Sequence, residues 1–403
     1  MSRFNPRRFT ELGALRRFHP QQLLRFLEPY RDYLTARGIA LPRGGRASIN
    51  YETLSHVLMT PNKDTPHDLV DALYFVHEMA TQRGMDVLLE EVRRNQIHVR
   101  VGPKSTPADV ALELWLARPE LVQRKHAEQR LAGRRNFESF RGSRATSAAI
   151  RRGPNHSQIG ALEEDLRTWF EQNLRGRWCR VTPYHDGPRT VYMVRHGDAM
   201  HREPSVAEDR PSVALYRPEL FDVLAYNLPR DELGINADDS VRDEYRRCFG
   251  ARLFGDADYF PASVRFTLEP LRRKGRPAIV CTDVPGIERV HLIEIKYCWP
   301  GADQETTIRR APDLFSIFEK HMPIPTSVKL VSAKFNILFS DSKKWRTVRV
   351  EVPNRAEYRR DEDARLVETW LRKRDFIMTW RDRGRSDDRI LESSREASLP
   401  ISS

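Results

Sequence analysis

Between residues 8 and about 132 the apolar side chains recur at intervals of three and four, the period of a helix with one buried face. In TPHDLVDALYFVHEMATQRG, residues 65–84, Leu69, Val70, Leu73, Val76, Met79 and Ala80 share such a face. Thr65 reads as the N-cap, Pro66 as the first helical residue, Asp68 as the third and Gly84 as the stop. TPADVALELWLARPELVQRKHAEQRLAG repeats the device with Thr106, Pro107 and Asp109 and stops near Gly133. HPQQLLRFLEPYRDYLTARG and NYETLSHVLMT predict two further helices, so an all-α first domain is expected. Residues 50–83 admit a helix-turn-helix reading with PNKD as the turn, although the linking stretch exceeds the usual length for that motif.

After a short helix at 159–174 the period changes to two. In VKLVSAKFNILFSDSKKWRTVRVEV, Val331, Ala333, Phe335, Ile337 and Phe339 fall on one face, Val348, Val350 and Val352 answer them, and SDSKK turns the chain. Strands are also predicted at 177–182, 190–196, 222–227, 263–269, 277–283 and 289–297. Helices at SVRDEYRRCFGARLFG and at DEDARLVETWLRKR, the latter through Leu366, Val367, Trp370 and Leu371, would cover a sheet face. The fold class is therefore α+β: an N-terminal all-α domain, then an α+β domain with a mainly antiparallel sheet. The expected layout is a basic helical domain at 1–133, a basic linker at 134–157, the α+β domain at 158–381 and a disordered polar tail at 382–403.

Charge sharpens this layout. Residues 1–155 hold 26 Lys+Arg against 16 Asp+Glu, whereas residues 156–403 hold 42 against 40. The basicity belongs to the first part, and it is arginine-rich, which suits phosphate because the guanidinium fork binds it bidentately. A nucleic-acid partner is expected, with a protein partner left open. No stretch of about 18 apolar residues occurs to span a bilayer, and MSRFNPRRFTELG lacks the apolar core of a secretory signal, so a cytoplasmic protein without a membrane partner is expected. Cys179, Cys248, Cys281 and Cys298 are too dispersed for a zinc knuckle or a disulfide framework and read as free, mostly buried thiols. No cofactor or metal is implied, because no phosphate-binding glycine loop is present and His67, Asp71 and His77 do not align on one helix face.

The linker RRNFESFRGSRATSAAIRRGPNHS supplies the expected nucleic-acid contacts. Arg134, Arg135, Arg141, Arg144, Arg151 and Arg152 would hold phosphates, and Phe137 and Phe140 would stack on bases.

Two segments invite an enzymatic reading. TVYMVRHGDAMHRE, residues 190–203, resembles the signature of the histidine phosphatase family. The resemblance implies His196 as phosphoryl acceptor, Arg195 as phosphate holder and Gly197 as the tight turn. The family's second histidine has no match: His291 opens a strand instead of closing one, and His321 lies in a proline-rich stretch. His196 is therefore expected at a strand end, facing solvent or capping a turn. CTDVPGIERVHLIEIKYCW is similar to the D…ExK pattern of metal-dependent nucleases through Asp283, Glu294 and Lys296, the last two on one strand face. If 277–283 and 289–297 pair as a hairpin, Asp283 ends roughly 20 Å from Glu294, too far to share an ion.

Segments around ELGINADDSVRDEYRRCFGARLFGDADYF and RFTLEPLRRKG resemble bacterial proteins of unknown function, a resemblance that carries no activity over to this chain. The function expected is nucleic-acid binding through the first domain and linker, with the second domain as a ligand-sensing or protein-interaction module. The alternatives are a phosphate-ester enzyme and a structural interaction protein.

Overall fold

The computed structural model describes residues 7–42, 49–143, 155–186, 189–207, 210–301, 305–319, 323–359 and 363–378. They form two compact units that meet at Leu131 and Ala132. The fold is α+β, with helices first and a large antiparallel sheet after them. No helix among the described residues is long and apolar enough to cross a membrane. Arg144, Arg151, Arg152, His321 and the tail 382–403 lie outside the described residues.

The first unit contains α1 (Arg7–Thr10), α2 (Leu12–Leu15), α3 (Pro20–Leu27), α4 (Arg31–Ala36), α5 (Tyr51–Met59), α6 (His67–Met79), α7 (Gln82–Arg94), α8 (Pro107–Ala117) and α9 (Pro119–Ala132). Its core gathers Phe9 stacked on Phe18 and Phe26, together with Leu73, Val76, Leu88, Val110 and Leu114. The capping box expected at Thr106 and Asp109 is formed. The other start differs by one residue: Pro66 is the N-cap of α6, and the Thr65 hydroxyl is held by Asn62 and Tyr33 instead. Gly84 does not stop that helix. It lies in the first turn of α7, its N–H donates to the Thr81 cap, and a Cβ there would run into the Met79 carbonyl. Residues 60–66 separate α5 from α6, longer than a helix-turn-helix turn.

The second unit is built on ten strands in the order β2-β3-β6-β7-β1-β12-β11-β10-β8-β9, all antiparallel. They are β1 (Asn136–Arg141), β2 (Cys179–Asp186), β3 (Arg189–Gly197), β6 (Glu219–Asn227), β7 (Glu232–Asn236), β8 (Ile287–Cys298), β9 (Thr306–Arg310), β10 (Lys329–Phe339), β11 (Arg346–Glu351) and β12 (Arg355–Glu357). β4 (His201–Ala207) and β5 (Arg210–Tyr216) make a separate hairpin. The hairpin predicted at 328–352 is formed, with Phe335 opposite Val348 and Ala333 opposite Val350.

Two predicted strands are not formed. Phe266 makes an isolated bridge to Ile377, and Pro270 and Pro277 open α12 (Glu269–Lys274) and a 3₁₀ turn (Arg276–Ile279), where proline's fixed φ suits a first helical turn.

The two halves of the sheet bury opposite faces. Tyr192, Val194, Leu224, Tyr226, Leu233, Ile235 and Phe140 pack under α10 (His156–Gln172) and α11 (Asp239–Phe254). Ile295, Ala333, Phe335, Val348, Val350 and Ala356 pack under α12, α13 (Leu314–Phe318) and α14 (Ala364–Lys373), with Trp370 edge-on to Phe335 at 5.1 Å. Register carries this through β1. Phe140 pairs with Leu233 on one side of the sheet, and Phe137 pairs with Ala356 on the other, because successive side chains alternate. The linker expected at 134–157 is thus corrected in part: six of its residues are an internal strand. Its alternation was masked by flanking arginines and by its short length.

Phe137→Ala is expected to lower stability by about 3 kcal/mol or more, the range of buried phenylalanine truncations. Arg135→Ala, at an exposed position, should stay within about 0.5 kcal/mol. Urea denaturation of the full chain checks both, and equal midpoints would return 134–141 to the status of a tether.

Candidate nucleic-acid interface

The aromatic residues expected to stack on bases are unavailable to them. Phe137 is 5% and Phe140 3% exposed, both within the sheet. Arg134 lies 4.1 Å from the centre of the Phe221 ring and donates to the Phe221 carbonyl at 3.0 Å. Arg141 closes β1 opposite Glu232, and Arg135 is exposed. The basic-arm reading is therefore overturned for its phenylalanines, since burial in a strand removes the faces that stacking needs.

His196 is fully buried, not solvent-facing. Its Nε2 is 3.0 Å from Asp222 Oδ2, its Nδ1 is 2.8 Å from the Gly197 carbonyl oxygen, and its ring stacks on Phe170 at 4.1 Å. Tyr245 donates to the same Asp222 oxygen at 2.7 Å. Burial, and then the Asp222 charge, pushes the Tyr245 hydroxyl far above its ordinary value, so it stays a donor. Arg195 points outward, paired with Glu219 at 2.6 Å and lying over Trp178. His291 sits on β8, in the other half of the sheet, against Trp345. Both ring nitrogens of His196 are occupied and the second histidine is elsewhere, so the arrangement is a buried polar network. His196→Ala should therefore destabilise by about 2–4 kcal/mol, through the cavity and the orphaned Asp222 and Tyr245. No acid-labile phosphoenzyme should form with labelled phosphate esters; an adduct lost in that variant would restore the nucleophile.

The nuclease pattern is not assembled. Glu294 and Lys296 do share a strand face, and Glu294 pairs with Lys334 at 3.0 Å and with Arg310. Asp283 is held by Lys373 and Arg374 at the end of α14, the helix packed on the opposite face. No group of three or more His, Cys, Asp or Glu that could hold a metal ion occurs among the described residues.

What the structure does create is an open polar face. Because α12, α13 and α14 cover one side of β8 to β12, the side chains between the buried ones point the other way. Register places Asn336 opposite Thr347 and His291, Lys334 opposite Arg349 and Glu294, Arg289 opposite Leu338, and Glu294 opposite Arg310. Arg349 and Arg355 continue the face, with Glu351 and Glu357. Arg355 is paired with Glu138 and Asp239, which leaves Arg289, Lys296, Arg310, Lys334 and Arg349 against three carboxylates, Glu294, Glu351 and Glu357.

At the centre is a shallow groove lined by Glu294, Arg310, Lys334, Asn336 and Thr347. Ile293 is the bulged residue beside it, where the register between β8 and β10 shifts. Thr347 donates to Asn336 Oδ1 at 3.0 Å. At the edge, the rings of Trp345 and His291 are 5.0 Å apart, and Trp345 is 41% exposed. Cations on a strand face beside an exposed aromatic pair can hold a phosphate chain and stack a base.

No family model and no curated protein matches the chain. The site therefore rests on geometry alone. Of these residues, sequence reasoning singled out only Glu294 and Lys296. The signal for Lys334, Asn336, Thr347 and Arg349 lay in the polar positions alternating with the apolar ones in the 328–352 hairpin.

Burial pushes the Glu294 carboxyl up, but Lys334 and Arg310 outweigh it and hold the group below the usual carboxylate range. A lowered folded-state pKa means that stability is present above the unfolded value and lost as pH falls through the folded one. Glu294→Gln should therefore flatten the acid limb of stability against pH below about pH 4. Thermal unfolding across that window checks it, and an unchanged acid limb would refute the coupling.

Proposed function

We propose that the chain binds single-stranded nucleic acid on the open face of β8 to β12. The observation that carries this reading is the excess of cations on a helix-free strand face, centred on Lys334 and Arg310 and bordered by Trp345. Phosphates lie along the cations, a base stacks at Trp345, and the Asn336 amide supplies a neutral donor to an acceptor between them. A flat strand face without a deep groove-reading helix favours the single strand, whose bases are free to splay onto it. The basic balance of residues 1–155 adds non-specific attraction to the same polyanion.

Glu294 sets the sign of the test. It occupies both central cations, so it competes with phosphate for them.

Fluorescence anisotropy with labelled single-stranded DNA and RNA, titrated with salt on the full chain, reads the outcome. Lys334→Ala and Arg310→Ala should each weaken binding and reduce the salt slope by about 0.7. Trp345→Ala should weaken it by about 1–3 kcal/mol, and Glu294→Gln should strengthen it. Absence of salt-dependent binding at low ionic strength, or binding indifferent to these substitutions, overturns the proposal.

A further inference from the structure

The first unit holds a second, independent feature. A pocket of about 450 Å³ is lined by His19, Gln22, Arg100, Lys104, Ser105 and Asp109, within the size range of small-molecule sites. Asp109 is 91% buried, its burial set by its place in the first turn of α8. One carboxylate oxygen, Oδ2, accepts from the Thr106 N–H at 2.9 Å and from the Thr106 hydroxyl at 2.8 Å. The other, Oδ1, is buried with no hydrogen-bond partner among the described residues, and so is Gln22 Oε1, whose amide nitrogen donates to Glu113 at 3.3 Å.

Asp109 and Gln22 thus bring two orphaned acceptors to the lining of one pocket, and buried acceptors of this kind are costly unless a donor reaches them. Both are oxygens, so the missing partner is a hydrogen-bond donor or a cation.

The rim has the opposite polarity. His19, Arg100 and Lys104 are exposed and make no ion pair among the described residues. The loop that carries Lys104 is set by two local bonds, Gly102 N–H to the Ser105 hydroxyl at 2.9 Å and Ser105 N–H to the Gly102 carbonyl at 3.0 Å. A ligand that satisfies the floor and the rim together is an ammonium joined to an anion over a short distance. A metal cation answers the floor but not the rim, and a lone anion the reverse. A nucleotide has both poles, but its base would meet one ring, His19, and no large apolar side chain in the lining.

We propose that this pocket is a binding site for a free α-amino acid, its ammonium on Asp109 Oδ1 and Gln22 Oε1 and its carboxylate on Arg100 and Lys104.

Calorimetric titration and thermal shift of the full chain with each proteinogenic L-amino acid test it. The further arms are the N-acetylated amino acids, the corresponding decarboxylated amines, and AMP and GMP. At least one free amino acid should bind saturably and raise the melting temperature. Blocking its amine or removing its carboxylate should weaken binding by about tenfold or more, the loss expected when one charge-assisted contact disappears.

Asp109→Asn should weaken it similarly. Because Asp109 also caps α8, the exposed Lys104→Ala provides the variant that keeps the fold, and it should lower affinity without moving the melting temperature of the free protein. The proposal is overturned if no amino acid binds, if N-acetyl derivatives bind as well as free ones, or if binding survives both substitutions. It is equally overturned if AMP or GMP binds with that dependence while amino acids do not.

Discussion

The second unit depends on one strand of six residues. β1 joins two half-sheets that bury opposite faces, and it does so because Phe140 and Phe137 are three positions apart and therefore point to opposite sides. Phe140 enters the core under α10 and α11, while Phe137 pairs with Ala356, whose own side chain belongs to the core under α14. The polar position between them is equally constrained. Glu138 meets Arg242 of α11 at 2.5 Å and Arg355 of β12 at 3.6 Å, so a carboxylate from the joining strand is shared by cations of both halves. Arg242 and Glu138 are 13% and 17% exposed, which makes this seam intolerant of losing either partner.

Opposite burial has a direct consequence for surface chemistry. A sheet with helices on alternating halves leaves each half with one uncovered face, and water must then solvate every second side chain of those strands. In β8 to β12 the uncovered positions include six long cationic residues, Arg289, Lys296, Arg310, Lys334, Arg349 and Arg355. Their aliphatic stems can cover the strand surface while the charged heads remain wet, which limits apolar exposure on this face to positions such as Ile308 and Trp345. The same geometry separates Asp283 from Glu294. One is on the helix-covered side and the other on the open side, so the spacing of the nuclease-like pattern carries no shared chemistry.

Much of this was legible in the chain and part of it was not, for identifiable reasons. The 328–352 hairpin, the capping box at Thr106 and the helices α11 and α14 were readable because each carries a strong period or a local cap. β1 was hidden because six residues set among arginines look like a solvated tether, and its apolar content is two phenylalanines facing opposite ways. His196 was misplaced at the surface since its burial follows from long-range partners, Asp222 on β6, Tyr245 on α11 and Phe170 on α10, none predictable from the strand's own sequence. The strand expected at 277–283 failed to a different cause: Pro277 imposed a turn that its apolar content alone did not announce.

Glu294 is where fold and surface chemistry meet. Two cations, Lys334 and Arg310, converge on one nearly buried carboxylate, so the group is neither a plain salt bridge nor an empty cationic site. Without the carboxylate the two cations would repel across a short strand-to-strand distance; with two carboxylates they would hold no residual attraction for an anion. One acid between two bases leaves a net positive charge that is already fixed in position by the sheet register. Arg310 is 68% exposed and Lys334 31%, so the outward side of each remains open to a second anion while the inward side is anchored. Such anchoring fixes the two side chains beside the β8–β10 bulge and lowers the entropy they lose in any further contact, while the carboxylate itself takes up part of their charge.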